Sequence, residues 1–273
     1  MGDEDAAAHP LPAGKLPAAL LAELLSGLPR APEVRAGPAV GEDACAIDVP
    51  AGTLVAATDP VTLTGGQVGR FAVVINANDV AVAGARPRWF LATVLLPAGT
   101  TAQQVRELFA TVRSSLDELG AHLVGGHTEV THAVAQPVVV GQMLGLVERG
   151  RFVSTGGVRP GDVVLQVGPA PVEGAAVLAS EAADRLGDLD ATVLQAARSA
   201  LSDPGISVVD AALLATEQGA VAMHDPTEGG LATGLSCFAA AQPRWVSKIW
   251  PRFMREGTPR GLSTISTGVP SSI

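Results

Sequence analysis

His224-Asp225-Pro226-Thr227-Glu228-Gly229-Gly230-Leu231 places a carboxylate, a hydroxyl and two glycines directly ahead of an apolar helical run. Gly229 and Gly230 let backbone N–H groups approach a ligand closely, and a helix from about Leu231 would turn its positive end toward a phosphate. A structural helix cap accounts for the same residues equally well. The choice between them depends on whether matching acidic and glycine-rich stretches occur elsewhere in the chain.

Upstream of that turn, apolar periodicity divides the chain into mixed strands and helices. A short amphipathic helix is predicted over 16–28, a strand over 53–58 stopped at Asp59-Pro60, and a buried helix of small residues over 68–83. A strand over 89–96 follows. The clearest helix runs over 101–119, with Val105, Leu108, Phe109, Val112, Leu116 and Leu119 on one stripe and Gly120 at its end. Strands are predicted over 122–124 and 137–147. The turn Arg159-Pro160-Gly161-Asp162 opens a second region. It holds a strand over 163–167, helices over 173–186, 191–201 and 206–218, and a short strand over 221–223. Strands and helices without strict alternation predict an α+β fold rather than a doubly wound sheet, with domains at 1–150 and 151–240.

With 273 residues, 47% of them hydrophobic, and a mean hydropathy of +0.32, the chain has core material for one large or two ordinary domains. A net charge of −9 and a pI near 5.0 argue against a broad nucleic-acid or anionic-membrane surface, which would need dense Lys and Arg. A small anion held through Mg²⁺ is compatible. Met1-Gly2-Asp3-Glu4-Asp5 is acidic where a signal peptide is basic, and no stretch reaches the roughly 18 uncharged apolar residues of a membrane span. Cys45 and Cys237 are too few and too far apart for a disulfide or zinc framework, which predicts a reducing cytoplasm.

Three carboxylates stand out in the first half: Asp43 after Gly41, Asp59 at a predicted strand end, and Asp79 among Val73, Val74, Ile75, Val80 and Val82. A carboxylate in so apolar a helix is costly unless it is paired or bound to a cation. Asn76 lies one turn away and Asn78 is adjacent, an oxygen-rich set that suits Mg²⁺. A buried Asp bonded to backbone groups is the structural alternative. Gly125-Gly126-His127-Thr128-Glu129 forms a second candidate phosphate-facing turn. His127, His132 and His224 lack metal-ligand spacing and read as hydrogen-bonding or substrate-shaping residues. Cys45, between Ala44 and Ala46, reads as a small filler. Lys15 and Lys248 are the only lysines, and neither sits in a Walker A loop or a kinase strand; no GxSxG elbow occurs.

Seven segments in order resemble one family: GKLP at Gly14, GEDACAID at Gly41, TDP at Thr58, NDVAVAGARP at Asn78, GGHTEV at Gly125, PGISVV at Pro204 and HDPTEGGLATGL at His224. Together they are similar to the aminoimidazole ribonucleotide synthetase-like, or PurM-like, ATP-binding enzymes. Within that family the chain looks most like HypE-type hydrogenase expression/formation proteins and synthetase-related relatives. Selenophosphate synthetase, thiamine-monophosphate kinase and the purine-biosynthesis synthetases are its other branches. The resemblance implies an N-terminal α/β domain that builds a barrel with a second copy, a C-terminal α+β domain beside it, and ATP in the cleft between them. Asp43, Asp59 and Asp79 would then hold Mg²⁺ and phosphate. Lys15, Asn78, Gly125, Gly126 and Thr128 would contact the nucleotide, with Thr227, Gly229 and Gly230 in the second-domain turn. Asp225 and His224 would face the acceptor, a small amide-type molecule or a protein-carried carboxamide. The implied chemistry is phosphoryl transfer, which needs positioning and charge neutralisation more than a covalent nucleophile.

From Ala241 the character changes. Residues 241–273 carry five basic side chains against Glu256 alone, a net charge of +4, while the first 240 residues carry −13. Trp245 and Trp250 also fall there, and residues 257–273 are rich in Ser, Thr, Gly and Pro without apolar period, which predicts poor ordering. Loss of resemblance, charge sign and period at one point predicts a frameshift or an aberrant 3′ end. HypE-type proteins carry the reacting carboxamide on a C-terminal cysteine, and this sequence ends Val269-Pro270-Ser271-Ser272-Ile273. Two functional classes are therefore expected: a Mg-ATP-dependent phosphoryl-transfer enzyme, or a catalytically impaired nucleotide-binding and dimerisation module with an incomplete second domain.

Overall fold

A computed structural model describes residues 10–39, 44–62, 67–226, 230–240 and 264–265. The chain divides into two compact units, Met1–Phe152 and Val153–Ile273.

The first unit runs β1 (Gly14–Lys15), α1 (Ala18–Leu25), β2 (Val34–Ala36), β3 (Ala46–Ile47), β4 (Thr53–Val61), α2 (Val68–Val82), β5 (Arg86–Pro97), α3 (Ala102–Leu119), β6 (His122–Thr131) and β7 (Val138–Val147). Five strands form one sheet in the order β1-β6-β5-β7-β4, while β2 and β3 pair separately. Only β5 and β6 are parallel, joined by α3 as the crossover; the other pairs of the sheet are antiparallel. α2 and α3 pack on one face. Phe90, Val94 and Leu96 of β5 meet them there with at most 1% exposure, as the period-2 alternation of a strand requires.

α3 starts with a capping box, in which the Thr101 hydroxyl and the Gln104 side chain satisfy each other's backbone N–H groups, and it ends at Gly120 with φ 66°. Its stripe is buried at Val105, Leu108, Val112 and Leu116. α2 is buried nearly all round because its small side chains lie between the sheet and α3.

Two predicted stops do not stop the chain. β4 continues through Asp59-Pro60 to Val61. It is the edge strand of the sheet, paired with β7 alone, a position at which proline is tolerated. Similarly, β6 runs through Gly125-Gly126 to Thr131 rather than ending at Val124. The glycines follow a bulge at which the register with β5 shifts between Phe90 and Leu91.

In the second unit a 3₁₀ turn (Thr155–Gly157) leads to β8 (Val164–Leu165), α4 (Val172–Glu181), a 3₁₀ turn (Ala183–Leu186), α5 (Ala191–Ser199), a π-type turn (Leu201–Gly205), α6 (Val209–Glu217), α7 (Gly230–Ala240) and β9 (Thr264–Ile265). The predicted strand over 163–167 shrinks to two residues, paired with β9. Val163, Leu165 and Val167 are 59, 71 and 64% exposed, so its apolar alternation covers no described core. The predicted strand over 221–223 is irregular instead. Its neighbour is a 3₁₀ turn rather than a sheet edge, and Thr155 Oγ1 donates to Met223 O at 3.1 Å. Apart from β9, the basic tail lies outside the described residues. No helix among the described residues is long and apolar enough to cross a membrane.

Candidate functional site

In the first unit the sheet registers bring several predicted residues into order. Asp59 of β4 pairs with Gly141 of β7, Gly141 with Ala92 of β5, and Ala92 with Gly126 of β6, so these four form one row across the sheet. The next row holds Thr58, Gln142, Leu91 and Gly125. Small residues in the Asp59 row leave room for backbone to come close. A Cβ at Gly126, where φ is +146°, would run into the Ala92 carbonyl, and one at Gly141 would run into the Asn76 amide and come within 2.9 Å of Ala72 O.

Asn76 explains how α2 is fixed beside that row. Its Oδ1 accepts from the Asp59 N–H at 2.8 Å, and its Nδ2 donates to Ala72 O at 2.8 Å and to Asp59 O at 3.4 Å. Asn76 is fully buried, and Asn78 is 3% exposed on the same helix. Burying an amide is tolerable only when its donors and acceptor are used, as they are here. The cross-link anchors the strand that carries Asp59 to the helix that carries Asp79. Asp79 itself is half-buried, not enclosed.

Lys15, exposed on β1, is the register partner of Glu129 on β6, and Glu129 Oε2 lies 3.2 Å from His127 Nε2. Thr128 stands opposite Val139's partner Val94, one row beyond Gly126's neighbour His127. Lys15, Gly125, Gly126 and Thr128 thus belong to two adjacent strands. Asp43 lies outside the described residues. Among the described residues no three His, Cys, Asp or Glu side chains gather as a metal cluster. Two oxygen donors on elements tied by Asn76, Asp59 and Asp79, still fit Mg²⁺, which commonly takes one or two carboxylates and fills its remaining positions with water and phosphate.

In the second unit Asp225 and His224 precede α7, which begins at Gly230 with φ +61°. The His224 ring meets Phe238 of that helix edge-on, with centroids 6.1 Å apart. Gly234 makes this approach possible, since a Cβ there would lie 3.0 Å from Pro226 Cβ and 3.4 Å from the His224 ring. Thr227 and Gly229 lie outside the described residues. One residue that the sequence did not single out joins this group. Glu173, in the first turn of α4, has its carboxyl pushed above the usual range by burial and then by the Asp225 charge. An acid in a first helical turn is ordinary, so nothing in the sequence marked it.

The cavity between α1 and α3, about 260 Å³, includes none of these residues; its rim holds Glu23, Arg106 and Arg113 over Leu24, Phe109 and Leu116. Arg106 donates Nε and Nη2 to Glu23 at 2.5 and 2.9 Å, an exposed bidentate pair that fastens α1 to α3 and holds Glu23 below the ordinary carboxylate range.

Comparison with known proteins gives this architecture its family. The N-terminal domain of AIR synthase related proteins matches residues 41–147, and the C-terminal domain of the same proteins matches residues 159–243. The chain belongs to the AIR synthase related family. Carbamoyl dehydratase HypE of Rhodobacter capsulatus is 35% identical over 180 residues, covering 65% of this chain and 50% of that protein. Among solved structures, hydrogenase maturation protein HypE aligns with a TM-score of 0.62 at 24% identity, covering 80% of this chain and 65% of that one. HypE in complex with ATP aligns with a TM-score of 0.58 at 25% identity, covering 74% and 59%. The chain spans about half the length of the curated relatives it matches. Its two-domain mixed α/β fold is that of the family, and the C-terminal match ends at residue 243, close to where charge and periodicity change.

Proposed function

We propose that this AIR synthase related chain is a Mg-ATP-dependent phosphoryl-transfer enzyme of HypE-like type, acting on an amide-type acceptor that is either a small molecule or a protein-carried carboxamide. The observation that carries the proposal is the row joining Asp59 to Gly126, with the helix bearing Asn78 and Asp79 tied to it by Asn76. The similarity to HypE, one structure of which is a complex with ATP, supports the choice of nucleotide.

In this assignment Asp59 and Asp79, with Asp43, hold Mg²⁺, which when bound neutralises charge on the phosphates. Gly125 and Gly126 give the nucleotide close access to backbone N–H groups, while Lys15, Asn78 and Thr128 supply polar contacts. Thr227, Gly229 and Gly230 are assigned to the nucleotide phosphates, and Asp225 with His224 orients the acceptor. The open sheet face, with Leu54, Leu91, Leu95, Val140 and Leu144, packs on a second copy to make a homodimer. The protein acts in the cytoplasm, as its cysteine usage predicts.

The test is ADP release by purified protein supplied with Mg-ATP and amide acceptors. Turnover above the acceptor-free rate is expected. Stabilisation by Mg-ATP with no ADP release from any amide, thiol or selenide acceptor would instead leave the nucleotide-binding module. The exposure of Val163, Leu165 and Val167 in the second unit is the observation that favours this second reading.

A further inference from the structure

Asp59 and Asp79 sit on different elements, and one side chain joins those elements. The Asn76 amide takes both backbone groups of Asp59: Oδ1 accepts from the N–H at 2.8 Å, and Nδ2 donates to the carbonyl at 3.4 Å. Nδ2 also donates to Ala72 O, one turn earlier on α2, at 2.8 Å. β4 pairs with β7 alone, so this amide does for Asp59 what a neighbouring strand does elsewhere in the sheet. Asp79 lies three residues beyond Asn76, on the same side of α2.

The amide reaches Asp59 because residue 141 has no side chain. A Cβ on Gly141 would run into Asn76 Nδ2 and lie 2.9 Å from both Asn76 Cγ and Ala72 O. Gly141 is itself the register partner of Asp59, and its carbonyl accepts from the Thr58 hydroxyl at 2.8 Å. Asp59, Gly141 and Asn76 therefore interlock across two strands and a helix. Asn76 is fully buried, with its amide spent on backbone groups, so it acts on a ligand only through the residues it holds.

We propose that Asn76, in the space left by Gly141, is the positioning residue of the Mg²⁺ site: it fixes the spacing of Asp59 and Asp79 and so makes the pair selective for Mg²⁺ over the larger Ca²⁺. This rests on the assignment of both carboxylates to Mg²⁺. Mg²⁺ demands near-octahedral geometry with bonds of about 2.0–2.1 Å, whereas Ca²⁺ takes oxygens at about 2.3–2.6 Å in looser arrangements. Carboxylates that cannot move apart suit the smaller ion. Released from each other, they accommodate both.

The cross-link is tested first without metal or nucleotide. Amide hydrogen exchange at Asp59 of the full chain is expected to quicken at least about tenfold in Asn76→Ala, with β5 and β6 unchanged and the fold checked by circular dichroism. Unchanged exchange at Asp59 overturns the cross-link. If Asn76→Ala does not fold, Asn76→Ser serves in its place, since its hydroxyl still bonds Ala72 O but falls short of Asp59. The role is read from ATP affinity, by calorimetry at saturating Mg²⁺ and at saturating Ca²⁺. The wild type is expected to favour Mg²⁺ at least about tenfold, and Asn76→Ala to narrow that preference to within about threefold. Val105→Ala, at a fully buried position of α3, loses stability yet keeps the preference. Gly141→Ala is expected to narrow the preference as Asn76→Ala does and to add little to it in the double variant; additive effects overturn the part given to Gly141. The same preference in wild type and Asn76→Ala overturns the positioning role. No ATP binding by the wild type with either ion overturns that role together with the site assignment, whereas the exchange result stands or falls separately.

Discussion

In the first unit Trp89, Phe90, Val94, Val105 and Val124 are all below 2% exposed, whereas in the second Val163, Leu165 and Val167 are more than half exposed. The first unit closes its core between a five-stranded sheet and two helices, and its candidate residues take their places from strand register. The second offers two-residue strands and short helices. Its candidate residues are placed by close backbone approaches at Gly157 and Gly234 instead. A site set by register is as robust as the sheet around it. A site set by two glycines is exposed to changes of a single methyl group.

The largest effect should come from Trp89→Ala, which empties a fully buried position in the first unit and is expected to cost about 3–5 kcal/mol in denaturant unfolding. Gly157→Ala comes next. Its new Cβ meets the Val221 carbonyl, so the 221–226 segment must shift, for a loss of about 1–3 kcal/mol confined to the second unit. Hydrogen exchange should show the loss of protection there and leave β5 and β7 unchanged; a loss spread over both units would erase the distinction between them. Leu165→Thr should change stability by less than about 0.5 kcal/mol, because the side chain is 71% exposed, and should reduce aggregation measured by light scattering. A large destabilisation would mean that Leu165 is covered in solution.

Much of this contrast was legible in the sequence. The 3.6-residue stripe of α3, with Gly120 at its end, placed it within a residue of its observed start, and the small apolar run marked α2 as buried. What failed was punctuation. Pro60 and Gly125-Gly126 read as stops, but an edge strand tolerates proline and a bulge accommodates glycine, and edge position and bulges are properties of the assembled sheet. The irregular course of 221–223 was hidden for a similar reason, since a β-rich tripeptide becomes a strand only beside an available edge. Local motifs singled out Asp59, Asp79, the Gly125-Gly126 pair and Asp225 as candidates. The row that aligns Asp59 with Gly126, and the influence of the Asp225 charge on Glu173, depend on residues far apart in sequence.

The central claim is that the ordered first-unit row, with α2 beside it, serves Mg-ATP. Titration calorimetry of Mg-ATP into the wild-type protein and Asp79→Asn tests it most directly. Saturable binding by the wild type and a loss of at least about tenfold in affinity for the variant are predicted. Equal affinities would remove Asp79 from the site, and no binding heat from the wild type would contradict the account.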